Sequence, residues 1–321
     1  MSTFTLDGIE YFIGVNPKNK LPMLMRVDGL NIDNRKEICR RFLRKNGWKD
    51  SDFVDLTTNE LEREIKKMIG GEASSSKLKK VTQELSEEDK KLIDRLKSEK
   101  HTHAFSVDMV NKVLSNLAKK NHFFVSEAHL QTEFIIEAAR LYPEFDYYPE
   151  LVPSRVPQSY LGVYGETGIF FDLVIRGKGE TIIIEFKYLT KDYEEDVNGF
   201  HYAVKHQSAQ DIRRHDCWHD ISRIEMFVKD NIDYGYFILV TNDASYWRYS
   251  SSDSADKMFK MFEGLHKKEI KTWNKEVSNT VYKGRDIPIP ITNDYYFEYK
   301  DFYQSDKKNG VFKSLVVEIS K

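Results

Sequence analysis

The chain has little cysteine: Cys39 and Cys217 are the only two in 321 residues, and they lie far apart. A disulfide framework is therefore not expected, and a reducing, cytoplasmic setting is. No stretch approaches 18 consecutive apolar residues, so neither a membrane-spanning helix nor a membrane partner is expected. The opening "MSTFTLDGIEYF" lacks both the basic and the apolar segment of a secretory signal, so export is not expected. Excess charge is missing too. The formal net charge of −2 does not mark the whole chain as a nucleic-acid binder. Apolar and aromatic residues, by contrast, are plentiful. The chain is 40% hydrophobic, with 18 Tyr and 20 Phe, enough to bury a sizeable core and to argue against bulk disorder.

Charge is unevenly placed. Residues 1–120 hold 24 Lys and Arg against 19 Asp and Glu, and the rest hold 25 against 32. A basic front and an acidic back fit a binding part followed by a carboxylate-bearing part. The front opens with "IEYFIGV", a turn at "NPKNK" and "LPMLMRV", which reads as a hairpin over 9–27. "NRKEICRRFLRKNGW" follows as a basic helix, with Arg40, Arg41, Arg44 and Lys45 on its charged side and Gly47 as its stop. A second helix fits 58–69. The Gly/Ser stretch 70–77 is the best linker in the chain. These signals divide the chain into a small basic α/β module over 1–70, a linker and helix over 71–100, and a main domain over 101–321.

In the main domain, Ser126 reads as the N-cap of a helix that ends before Pro143. "IFFDLVIRGKGETIIIEFKY", residues 169–188, reads as two strands around a glycine turn. A long helical region is expected over roughly 198–229, and "YGYFILVTND" reads as a fully buried central strand. Helical stretches mixed with aromatic strands are expected after 244. The order helix, strand, strand, helix, strand implies a mixed α/β sheet flanked by helices.

Side chains alternate faces along a strand. One face of the 169–188 hairpin is entirely apolar: Phe171, Leu173, Ile175, Ile182, Ile184 and Phe186. The other sets Asp172, Glu185 and Lys187 among Phe170, Val174 and Ile183. With Lys178 and Gly179 as the two turn residues, opposed residue numbers sum to 357, and Asp172 falls across from Glu185. A three-residue "GKG" turn is the alternative. Opposed Cβ atoms lie about 5 Å apart, so two half-buried carboxylates there raise one pKa or demand a cation. A hard divalent ion such as Mg²⁺ suits that demand. Lys187, on the same face, reaches a water or phosphate beside it.

Asp172, a gap of twelve residues, and then Glu185-Phe186-Lys187 resemble the PD-(D/E)xK nuclease superfamily. The resemblance covers roughly 126–243, with Phe171 where the family has proline. From Glu185 onward, "IEFKY", "HQSAQDIRRHDCWHDISRIEMF", "LVTNDASYW" and "DFYQSDKKNGVFKSLVV" are similar to an uncharacterised bacterial group with restriction-like genes. The superfamily resemblance implies a restriction-endonuclease-like mixed sheet and Mg²⁺, with Mn²⁺ as a substitute. The implied activity is that of a DNA endonuclease in restriction or phage defence. Asp172, Glu185 and the main-chain carbonyl of Phe186 would hold the metal. Glu133 would join them from the preceding helix, and Gln207 would support the site. Lys187 would position the attacking water and help deprotonate it, or neutralise the developing phosphorane charge. Double-stranded DNA is the implied partner, and a homodimer is compatible with it. A nuclease fold that has lost catalysis and only binds nucleic acid is the other class.

Other constellations are weaker. His215 and His219 stand at zinc-binding helical spacing, without the glutamate after His215 that a zinc peptidase needs and without a clear third ligand. Arg213 and Arg214 are placed to line a DNA groove, and the basic helix over 35–45 to meet phosphates.

Overall fold

The computed structural model describes residues 3–15, 22–28, 30–32, 34–48, 56, 58–69, 83, 85–99, 103–121, 123–165, 168–197, 199–230, 232–250, 253–275 and 284–321. The "NPKNK" turn and the Gly/Ser stretch 70–77 lie outside the described residues. The chain divides into two compact units, Met1–Thr82 and Gln83–Lys321. The helix expected within 71–100 belongs to the second unit. There Gln83 Nε2 donates to the Leu265 carbonyl at 2.8 Å, just ahead of that helix.

In the first unit, strands β1 (Thr3–Leu6), β2 (Ile9–Val15) and β3 (Pro22–Arg26) form an antiparallel sheet. Helices α1 (Arg35–Lys45) and α2 (Thr58–Ile69) share its core through Cys39, Leu43, Leu61 and Ile65. Asn34 caps α1 by accepting from the Glu37 N–H, which supplies one of the orphan donors of a helix start. Gly47 closes it at φ 87°, a left-handed conformation that favours glycine. Buried Glu62 of α2 accepts from the Leu24 N–H at 2.9 Å and ties the helix to β3.

The second unit is built on a mixed six-stranded sheet. Its spatial order is β14 (Tyr299–Gln304), β15 (Val311–Ser320), β9 (Tyr234–Thr241), β6 (Glu180–Leu189), β5 (Phe171–Gly177) and β4 (Asp146–Leu151). Only β6 and β9 run parallel. Helices α4 (Val107–Asn121) and α5 (Glu127–Leu141) cover one face, burying Leu114, Leu117, Leu130 and Phe134 with Leu173, Ile182, Ile184 and Ile238. Helix α7 (Gln210–Asp230) covers the other, burying Ile221, Ile224 and Phe227 with Val174, Ile183, Phe237 and Leu239. Gly235 permits that approach, because a Cβ there would stand 2.5 Å from Ile224 Cγ2 and 2.9 Å from the Ile183 carbonyl. Phe171 departs from the apolar hairpin face expected for it and meets Phe227 of α7 edge-on. Two smaller helices complete the α set, α3 (Glu87–Ser98) and α6 (Gln158–Tyr164), for seven among the described residues.

Two expectations are corrected. The helix placed at 198–229 starts only at Gln210. Before it, β7 (Tyr193–Val197) and β8 (Phe200–Val204) pair antiparallel, with Val197 opposite Phe200. After 244 the described residues hold short strands and one 3₁₀ turn at Lys257–Phe259 rather than α-helix. Strand β4 and helix α6 had no counterpart in the sequence reading. Among the described residues no helix is long and apolar enough to cross a membrane.

Candidate active site

The β5–β6 pairs Leu173–Ile184, Val174–Ile183 and Gly177–Glu180 all sum to 357. Lys178 at φ 53° and Gly179 at φ 84° form the two-residue turn that sets this register. The last pair is Leu173–Ile184, and Asp172 and Glu185 are the residues that follow it. There the β5–β6 ladder stops, while β6 continues beside β9 as far as Leu189. Buried main-chain donors need partners, and the bare edge of β6 finds them in side chains. The Phe186 N–H donates to Asp172 Oδ2 at 2.7 Å, and the Tyr188 N–H to Glu127 Oε2 at 2.8 Å. Gln207 Nε2 donates to the Tyr188 carbonyl at 3.0 Å. Two carboxylates and a carboxamide are thus fixed along the strand edge that carries Glu185 and Lys187.

Helix α7 supplies the opposite wall. Asp220 Oδ2 lies 2.8 Å from Lys187 Nζ, and Asp220 Oδ1 lies 3.3 Å from Arg223 Nη2. The same Arg223 nitrogen lies 2.6 Å from Glu185 Oε1. The Arg223 guanidinium sits over the Phe171 ring, 5.6 Å from its centroid. Asp220 therefore bridges the two cations, and Arg223 bridges two acids.

Burial dominates the electrostatics. It pushes the Asp172 carboxyl up, against the Phe186 N–H that favours its anion. It pushes Glu127 up, against Lys187. Glu185, 2% exposed, is pushed well above the carboxylate range by burial, which Arg223 opposes and Asp220 and Asp172 reinforce. Asp220 goes the other way: burial would raise it, but Lys187 and Arg223 hold it well below its ordinary value. Burial alone would lower Lys187, yet Asp220, Glu127 and Glu185 hold it above the usual lysine range. Lys187 is a firm ammonium, and the acids around it outnumber the cations.

A cleft of about 420 Å³ opens onto Glu127, Lys187, Gln207, Arg213, His219 and Asp220. Arg213 is exposed at this cleft, and Asp216, also on its wall, is held by Arg285 at 2.7 and 3.0 Å. A larger groove of about 890 Å³, beside α3 and β15, contains none of these groups.

The structure brings Asp172, Glu185, Lys187 and Gln207 together, along with the Phe186 main chain. Gln207 sits in the segment before α7, not on the helix as expected. Glu133 is not brought to the strand edge: it faces Lys120 at 3.7 Å, and Glu137 is held by Arg140 and Asn116. The glutamate that α5 presents to the hairpin is Glu127, in its first turn. Arg214 is corrected as a nucleic-acid contact. Its side chain is turned inward, 2.6 Å from Asp256 and bonded to Ser245. In the first unit, Arg41 pairs with Asp7, Lys45 lies 3.3 Å from Asp7, Arg44 lies 3.2 Å from Glu37, and Arg40 is half-buried. His215 stacks on Trp273 and His219 meets Tyr164, so this pair does not gather a zinc site. Sequence reasoning missed Asp220 and Arg223. Their spacing with Asp216, charges at i, i+4 and i+7 in an otherwise buried helix, was the available signal.

The donor chemistry fits a hard divalent cation. Asp172, Glu185 and Glu127 offer carboxylate oxygens, and one or two carboxylates completed by waters suffice for Mg²⁺. Their raised protonation is the mark of buried acids short of positive charge. Among the described residues no three His, Cys, Asp or Glu side chains already stand around one ion-sized point. In this cluster Arg223 and Lys187 link the acids. No family model, curated protein or solved structure matches the chain.

Proposed function

We propose that this chain is a metal-dependent nuclease of the PD-(D/E)xK kind, with a restriction-endonuclease-like second unit, that hydrolyses phosphodiester bonds, most directly those of double-stranded DNA. One observation carries the reading. Glu185 and Lys187 lie on the bare end of β6, and Asp172 of β5, Glu127 and Gln207 are hydrogen-bonded to the main chain of the same strand end. Asp172, Glu185 and Glu127 would hold the cation, with the Phe186 carbonyl as a further ligand. A bound Mg²⁺ supplies Lewis acidity toward the phosphate and a more acidic water. Lys187, kept protonated by Asp220, stabilises negative charge on the phosphate as the water attacks; its pairing favours this role over that of a base. Asp220 and Arg223 hold Lys187 and Glu185 in place before substrate arrives. Arg213 at the cleft, and the basic residues of α1, bind phosphates without reading sequence. A restriction or phage-defence role in the cytoplasm fits the resemblance, as does a homodimer that cuts both strands. Both thiols, Cys39 and Cys217, are buried and unpaired, in keeping with a reducing compartment.

The test is conversion of supercoiled plasmid, with RNA and single-stranded DNA alongside, in Mg²⁺ and in EDTA. Wild type is expected to nick or cut only with metal, and Lys187→Ala to be silent. Equal behaviour of the two proteins on every substrate contradicts the reading. A second reading, a nuclease fold retired to binding, is favoured by the cation already lying on Glu185. It predicts no Mn²⁺ binding that depends on Asp172.

A further inference from the structure

The feature that the hairpin motif does not explain is Arg223. Its guanidinium lies 2.6 Å from Glu185 Oε1 and 3.3 Å from Asp220 Oδ1, with the side chain only 16% exposed. It is clamped over Phe171 and carried by a helix packed between the sheet and the C-terminal strands. It is not a surface arginine that happens to reach inward. We propose that Arg223 is a built-in counter-ion of the carboxylate cluster: it takes, at Glu185, the place that a second divalent cation would need, so the cluster takes one metal ion per chain. This rests on the metal-dependent reading above and goes beyond it by fixing the number of ions and the residue that sets it.

Charge and reach both support it. Fully ionised, Asp172, Glu185, Glu127 and Asp220 bring four negative charges, and Lys187 and Arg223 return two. The remainder equals the charge of one divalent ion. A two-ion site needs the acids to bridge both ions. Here one Glu185 oxygen faces Arg223 and one Asp172 oxygen accepts the Phe186 N–H, which leaves one oxygen of each for metal. Both Asp220 oxygens already face a cation, Oδ2 at Lys187 and Oδ1 at Arg223.

The experiment is a titration of the purified full chain with Mn²⁺, reading the free ion by electron paramagnetic resonance. Wild type, Arg223→Gln, Arg223→Lys and Asp172→Ala are compared, with a thermal melt of each. The expected result is one Mn²⁺ on wild type and on Arg223→Lys, which keeps the positive charge. Arg223→Gln should bind a second ion, or the first with a dissociation constant lower by roughly tenfold or more, because a unit charge has left a low-dielectric site. Two ions on wild type overturn the proposal. So does an Arg223→Gln protein that matches wild type in count and affinity; if Asp172→Ala then abolishes binding, the metal-dependent reading stands while this one falls. Absence of Mn²⁺ from both wild type and Arg223→Gln ends both. Should Arg223→Gln fail to fold, the wild-type count decides alone.

Discussion

Lys187 Nζ lies 2.8 Å from Asp220 Oδ2, and the two groups stabilise one another's charge from different elements, a strand end and a helix. Asp220 also faces Arg223, so both half-buried cations of the site lie against it. Asp220→Ala removes the acid that Lys187 and Arg223 share, leaving Arg223 on Glu185, and a loss of up to about 3–5 kcal/mol, the cost of breaking a buried pair, is expected. Denaturant unfolding of the second unit should show a loss of that order. Asp220→Asn should lose less, since its carboxamide oxygen still accepts from Lys187.

The glutamate that matters on α5 is Glu127. Its Oε2 takes the Tyr188 N–H, whereas Glu133 faces Lys120. Glu127→Gln is expected to lower plasmid nicking roughly 10- to 100-fold, the usual effect of loosening a group that holds a metal site. Glu133→Gln should stay within about twofold of wild type, as substitutions away from buried networks generally do. Rates measured side by side at fixed Mg²⁺ decide between them.

How far this site was legible in the sequence follows from the same residues. The turn Lys178-Gly179 and the two-residue alternation together pointed to the β5–β6 register, with a three-residue turn left open, because a slip of one would turn every side chain to the opposite face. Ser126 announced the start of α5, and its side chain accepts from the His129 N–H. Which glutamate of α5 meets the hairpin depends instead on where β5 leaves β6, a tertiary fact that no local pattern records. Helix α7 hid its acids for a related reason. The sheet buries one side and the C-terminal strands the other, so the helix carries no clean apolar stripe against which Asp220 and Arg223 would stand out. The 193–204 hairpin was readable, since Asn-Gly marks it, but the polar residues around it resemble a helix surface.

Buried His266 provides a pH test. Burial holds its imidazole down to about 3, and its Nε2 lies 2.8 Å from the Phe262 carbonyl, so the folded protein keeps it neutral. A base with a depressed folded pKa contributes stability that is complete above its unfolded value of 6.5. That stability is lost as pH falls from there toward about 3. Within this window the loss approaches about 1.4 kcal/mol per pH unit. The stability difference between wild type and His266→Phe should therefore shift against wild type between pH 6 and pH 4, about as steeply.

Glu225 pins the C-terminal segment to α7. Its carboxylate accepts from the Thr292 and Asn293 N–H groups and from the Thr292 and Tyr295 hydroxyls. Glu225→Ala leaves those donors without a partner, and a cost of about 3–5 kcal/mol is expected from calorimetry or denaturant melts. Hydrogen exchange should rise first in 289–297, the segment that Glu225 holds.

On the proposed function, a divalent cation sits between Asp172 and Glu185 at the bare end of β6. Anomalous diffraction from crystals soaked in Mn²⁺ tests it most directly. One peak is expected about 2.0–2.3 Å from an oxygen of each carboxylate, as hard cations require. A map with no peak there, or with Mn²⁺ bound only elsewhere, contradicts it.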